Sequence, residues 1–142
     1  MGDPQNEELA DQLRPRLLRL SQAMRRDTQR LPVSIAQGAV LSLLHRGPQS
    51  VGDLARAEGV RPPSMTQIVN RMEELGWVSR SGAAVRGSQV EITALGRTIS
   101  AQVNRERIAL LAERVDGLSA EERDVLRAAL PVLDRMFGPP NT

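Results

Sequence analysis

Residues 50–96 read SVGDLARAEGVRPPSMTQIVNRMEELGWVSR, then SGAAVRGSQVEITALG. The stretch carries its own punctuation. Ser50 can cap a helix, with Asp53 three places on, where a Glu or Gln would complete a reciprocal capping box. Leu54 and Ala55 supply the inward side of that short helix, and Glu58-Gly59-Val60 makes a turn. Pro62-Pro63 opens the next helix, because proline suits the first turn, where its missing N–H would have no partner. Met65, Ile68, Val69, Met72 and Leu75 recur at helical spacing as a buried stripe, and Gly76 stops the helix. Residues 77–80 predict a short strand. Residues 89–93 predict its partner, with Val90 and Ile92 inward and Glu91 outward. Residues 81–88 form the hairpin tip, and Thr93 can cap the helix beyond.

Helix, tight turn, helix, strand, tip, strand is the order of a winged helix-turn-helix. In that motif the first helix pins the second, whose outer face can lie in the major groove of DNA. Here the outer face of the second helix presents Pro63, Ser64, Thr66, Gln67, Asn70 and Arg71. Such side chains pair with base edges or phosphates. A face that meets only water is more often rich in Glu and Lys, and here Glu73 and Glu74 come only at the far end. A solvated helix without a partner is the competing reading of this face.

The flanks are helical. Leu9, Leu13, Leu17, Leu20 and Met24 trace one face of a helix over residues 7–30. Pro15 falls inside it, at a cost of about 3 kcal/mol, so either the helix bends there or residues 7–14 form a separate arm. Ser34 can cap a second helix carrying Ile35, Val40, Leu41 and Leu44, which ends near Arg46-Gly47-Pro48. After Thr93 a long helix carries Leu95, Ile99, Val103, Leu110, Leu111 and Val115. Ser119 and Glu122 form a capping box for a last helix with Val125, Leu126, Leu130, Leu133, Met136 and Phe137, in which Pro131 should introduce a kink. The expected fold is mainly α, with six helices and a small β-hairpin wing. The periodicity of the flanks fits a helical dimerisation layer and equally a monomeric bundle.

Composition closes several routes. The 142-residue chain has no cysteine and one histidine, His45, so disulfides, thiolate chemistry and multi-histidine metal sites are excluded. The pairs Glu73-Glu74 and Glu121-Glu122 are adjacent on helices and point apart, and no Gly-rich phosphate loop is present, so an enzyme is not expected. No cofactor is implied. No apolar run reaches spanning length and no apolar leader follows the polar MGDPQNEE start, so a cytoplasmic protein is expected. All 19 basic residues are Arg, yet net charge is only +2. Residues 46–97 hold seven Arg against five acids, and the following segment six against seven. Nucleic-acid binding therefore cannot rest on net charge.

The chain resembles the MarR (multiple-antibiotic-resistance regulator) family of winged-helix transcription regulators. The matching blocks are Gln37-Gly38-Ala39-Val40-Leu41, Leu54-Ala55, Gly59-Val60 and Pro63-Ser64-Met65-Thr66. They continue through Val69-Asn70-Arg71-Met72-Glu73, Leu75-Gly76-Trp77-Val78, Arg80, Arg86, Val90-Glu91-Ile92-Thr93 and Gly96. The similarity spans nearly the whole chain as one domain, with residues 32–93 as the winged helix-turn-helix and residues 7–30 and 94–137 as the dimerisation region. It implies a homodimer that binds a pseudo-palindromic operator in double-stranded DNA, typically a repressor released by a small lipophilic or anionic ligand. Arg14, Arg16, Arg19 or His45 could pair with an anion, although a lone histidine is more often a packing or surface residue. The resemblance also draws Arg61 and Arg86 into the DNA-binding set. Two departures stand out. Ala84 takes the place of the acid that braces the wing arginine in the family, and the tip is about two residues short. Arg61 stands where Ser or Asp often caps the recognition helix, which removes a bond worth about 1 kcal/mol but can offer a phosphate contact. Arg86 can enter a narrow minor groove or simply meet solvent on a mobile tip. The alternative function is a winged helix used as a protein-interaction module, motivated by the weak charge bias and the apolar tip.

Overall fold

The computed structural model describes residues 3–81 and 88–140. The wing tip, with Ala84 and Arg86, lies outside the described residues. The elements are α1 (Pro4–Thr28), α2 (Ile35–Leu44), β1 (Gln49–Ser50), α3 (Val51–Glu58), α4 (Pro62–Glu74), β2 (Val78–Ser81), β3 (Gln89–Ile92), α5 (Ala94–Asp116) and α6 (Ala120–Phe137). Contacts divide the chain into two units, Met1–Leu31 and Pro32–Thr142.

In the first unit, α1 runs through Pro15 as one helix, so residues 7–14 do not form a separate arm. It starts three residues before the expected boundary, because Asp3 caps it by accepting the Gln5 N–H at 3.0 Å and Pro4 fits the first turn.

In the second unit, side-chain caps set most of the helix starts. Ser34 with Gln37 and Ser119 with Glu122 form reciprocal boxes. Ser50 and Thr93 accept the Asp53 and Gly96 N–H groups at 3.1 and 3.0 Å. Gly59 ends α3 with φ 63°, a left-handed conformation that glycine adopts without strain, and so makes the turn into α4.

The core lies among α2, α3, α4 and the sheet. Val40, Leu41 and Leu44 of α2 meet Leu54 of α3, Met65, Val69 and Met72 of α4, and Val78 and Val90 of the strands, all essentially inaccessible. The expected stripe of α4 is inside, with Ile68 and Leu75 half-buried at its rims. The sheet has three antiparallel strands in the order β1-β3-β2. β2 pairs with β3 as expected, Val78 opposite Ile92 and Arg80 opposite Val90. β1 is an addition to the hairpin: Gln49 and Ser50 pair with Val90 and Gln89.

The wing is stitched to its neighbours by Thr93. Its N–H donates to the Trp77 carbonyl at 3.0 Å and its hydroxyl to the Gly76 carbonyl at 2.6 Å. One turn on, Gly96 lets α5 approach so closely that a Cβ there would lie 2.0 Å from the Trp77 carbonyl oxygen. Beyond this anchor the chain has few inward positions. Gly96 and Val103 are the buried residues of α5, and α6 has none. Ile108, Leu111, Val125, Leu126, Leu130, Met136 and Phe137 are all exposed.

Candidate nucleic-acid interface

α4 is braced from behind by α3, α2 and β2, which leaves one face to solvent. Pro63, Ser64, Thr66, Gln67, Asn70 and Arg71 are all exposed on it, as the helical spacing required once Met65, Val69 and Met72 were committed to the core.

These side chains are not equivalent. Ser64 and Gln67 have no side-chain partner among the described residues. Thr66 donates its hydroxyl hydrogen to the Pro62 carbonyl at 3.0 Å, so it offers outward an acceptor and a methyl group. Arg71 pairs with Glu74 on the same helix at 3.1 Å. Both partners are mostly exposed, and such pairs contribute roughly 0–1 kcal/mol, so a phosphate can take over the guanidinium at little cost. Asn70 accepts at Oδ1 from Nη2 of Arg80 at 2.7 Å, and Nη1 of Arg80 lies 3.1 Å from Glu73 Oε2.

Arg61 makes no side-chain cap bond, as its chemistry required. The loss is smaller than the usual figure for a missing cap. Pro62 and Pro63 have no N–H groups to satisfy, and the next, that of Ser64, reaches the Arg61 carbonyl at 3.0 Å. Arg61 is exposed at this uncapped, electropositive helix start.

Two arginines outside the expected set carry structural roles. Arg80 lies two residues along β2 from the buried Val78 and, though itself exposed, reaches Asn70 and Glu73 of α4. Arg107 of α5 donates through Nη2 to the Val33 and Ser34 carbonyls at 2.9 and 3.1 Å, clamping the chain that leads into α2. Its Nε is buried without a partner among the described residues, and burial lowers its pKa below the ordinary arginine value.

Arg107 also lines a cavity of about 340 Å³ between α2 and α5, together with Leu41, His45, Ser100, Val103 and Asn104. His45 is tied into this wall, Nε2 to Ser100 Oγ and Nδ1 to Arg97 Nη1, each at 3.2 Å. Arginine can only donate, so Nδ1 accepts and Nε2 carries the hydrogen. Among the described residues no group of acidic or histidine side chains could hold a metal ion, and no helix is long and apolar enough to cross a membrane.

Comparison with known proteins points the same way. Residues 31–86, which span α2 to the wing, match the model of the MarR family. An HTH-type transcriptional regulator of Mycobacterium bovis is 35% identical over 128 residues, covering 88% of this chain and 90% of that protein. One from Mycobacterium leprae is 34% identical over the same length and coverage. Among solved structures, a MarR family protein from Bacillus stearothermophilus superposes with a TM-score of 0.76 at 26% identity, over 98% of this chain and 99% of that one. Fold, helix-turn-helix geometry and sequence agree: the chain belongs to the MarR family of HTH-type transcriptional regulators.

Proposed function

We propose that the protein is a homodimeric repressor acting in the cytoplasm, which binds a pseudo-palindromic operator and is released by a small ligand. The observation that carries this reading is the outer face of α4: polar and exposed from Pro63 to Arg71, backed by core on the other side. A helix so mounted fits the major groove. Gln67, Ser64, Thr66 and Asn70 face bases, while Arg61 and Arg71 neutralise phosphates. Arg86, at the wing, is assigned to the minor groove or the backbone by its place in the sequence alone.

Dimerisation is supported by the apolar side chains that α5 and α6 leave exposed. Val125, Leu130 and Phe137 are 70%, 58% and 64% accessible in the single chain, more large apolar surface on one helix than a monomer ordinarily shows to water. A twofold dimer presents two copies of α4 to successive major grooves, which calls for a pseudo-palindrome. Ligand release is supported by the cavity between α2 and α5. Its mixed wall, with Leu41 and Val103 against Arg107 and His45, suits a small anion with an apolar body.

Fluorescence anisotropy with a labelled duplex from the protein's own promoter tests the reading. Specific binding that weakens steeply as salt rises is the expected outcome. Absent or salt-independent binding at micromolar protein, with a stable protein partner recovered instead, would overturn it in favour of an interaction module.

A further inference from the structure

We propose that Arg80 is a positioning residue for sequence reading: it fixes the Asn70 amide so that its donor edge faces DNA. The proposal rests on the assignment of α4 as the reading helix. An arginine guanidinium has five donors and no acceptor, so the oxygen of Asn70, not its nitrogen, must meet Nη2 at 2.7 Å. Glu73 holds the other end of the fork at 3.1 Å, so the Arg80 side chain, 31% exposed, reaches from β2 onto α4. Two residues, Arg80 of β2 and Glu73 of α4, thereby hold the Asn70 amide in one orientation. Nδ2 of Asn70 has no partner among the described residues, and it is the free end of an exposed side chain.

A free asparagine reads adenine with both ends, accepting from N6 and donating to N7. With Oδ1 turned toward Arg80 and one of its lone pairs taken, Asn70 directs its Nδ2 donors outward. It therefore favours edges that present acceptors, N7 and O6 of guanine or O4 of thymine, over adenine, whose N7 acceptor stands beside the N6 donor that Oδ1 no longer faces. Arg80 never touches the DNA in this scheme; it sets what Asn70 can recognise.

The test is a double-variant cycle on the promoter duplex and its single base-pair substitutions, with wild type, N70A, R80A and the N70A/R80A pair. Each is also measured for Tm and for the salt dependence of binding. Wild type should prefer an acceptor edge at one base pair per half-site, by roughly fivefold, the low end for a base contact. N70A and R80A should each lose that preference, R80A with a relative gain for adenine. The double variant should be no worse than N70A alone, and the salt slope should not change. Additive losses would overturn the proposal. So would a salt slope lowered by about one in R80A with base preference intact, which would make Arg80 a phosphate contact. If R80A does not stay folded, N70D decides, since its carboxylate keeps Arg80 but offers no donor: lost preference at unchanged Tm supports the proposal and retained preference refutes it. A wild-type protein that binds the promoter with no base preference would remove the reading role of α4, and this inference with it.

Discussion

Gly96 shows how much one hydrogen atom decides in this fold. Its Cα faces the Trp77 carbonyl, which is held in turn by the Thr93 N–H at 3.0 Å. A Cβ at 2.0 Å from that oxygen meets backbone, which cannot swing away like a side chain. Gly96→Ala should therefore cost about 3 kcal/mol or more, read as a large drop in Tm by calorimetry; an unchanged Tm would mean that α5 is not anchored there. Arg61 is the opposite case. Because two prolines remove two of the first-turn donors and the third, Ser64 N–H, already reaches the Arg61 carbonyl at 3.0 Å, Arg61→Ser should move Tm by no more than about 2 °C. The same variant should flatten the slope of log affinity against log salt by about one unit, as expected if Arg61 neutralises a phosphate. A clear gain in stability with an unchanged salt slope would contradict both halves of that statement.

At the scale of elements, the helices were readable where a cap and a stripe coincide. Ser34, Ser50, Thr93 and Ser119 each stand immediately before an apolar pattern, and each caps the helix it announces. The buried stripe of α4 followed from spacing alone. β1 did not, because two residues carry no period and their pairing with Val90 and Gln89 lies forty positions away in the chain. The Arg80–Asn70 link and the Arg107 clamp were hidden for the same reason: each joins two elements through a geometry that only packing creates. Arg61 was read correctly as a missing cap, but its cost depends on which N–H groups the following residues possess. The start of α3 has a pH signature of its own. Hydrogen bonding from Ser50, and then Arg56, holds the Asp53 carboxyl below its ordinary value of 3.8. A depressed folded pKa stabilises the fold above the unfolded value, and that contribution is lost as pH falls through the folded one. Tm of wild type should thus decline below about pH 4, and Asp53→Asn should decline less steeply over the same range. An equal slope in the variant would show that Asp53 is not coupled to folding.

For the whole molecule, the contrast between its parts is the informative feature. Residues of α2, α3, α4 and the sheet enclose a complete core, whereas α6 buries nothing in the single chain. The proposed twofold dimer would resolve that contrast by covering Leu126 and its neighbours. Leu126→Asp places a charge in the proposed interface at a position that is 49% exposed in the protomer. The variant should keep its helical circular dichroism, shift to monomer in sedimentation equilibrium and bind a two-half-site duplex at least about tenfold more weakly, since a charge buried without a partner is costly. A dimer of unchanged affinity would place the interface elsewhere. The claim on which all of this turns is that the outer face of α4 reads base edges. It is tested most directly by Gln67→Ala, an exposed residue without a side-chain partner among the described residues, assayed against every single base-pair substitution of the bound promoter site. Selectivity should vanish at one pair of symmetry-related positions and persist at the others, with the salt slope unchanged. A uniform loss of affinity across all substitutions, or none at all, would contradict base reading by α4.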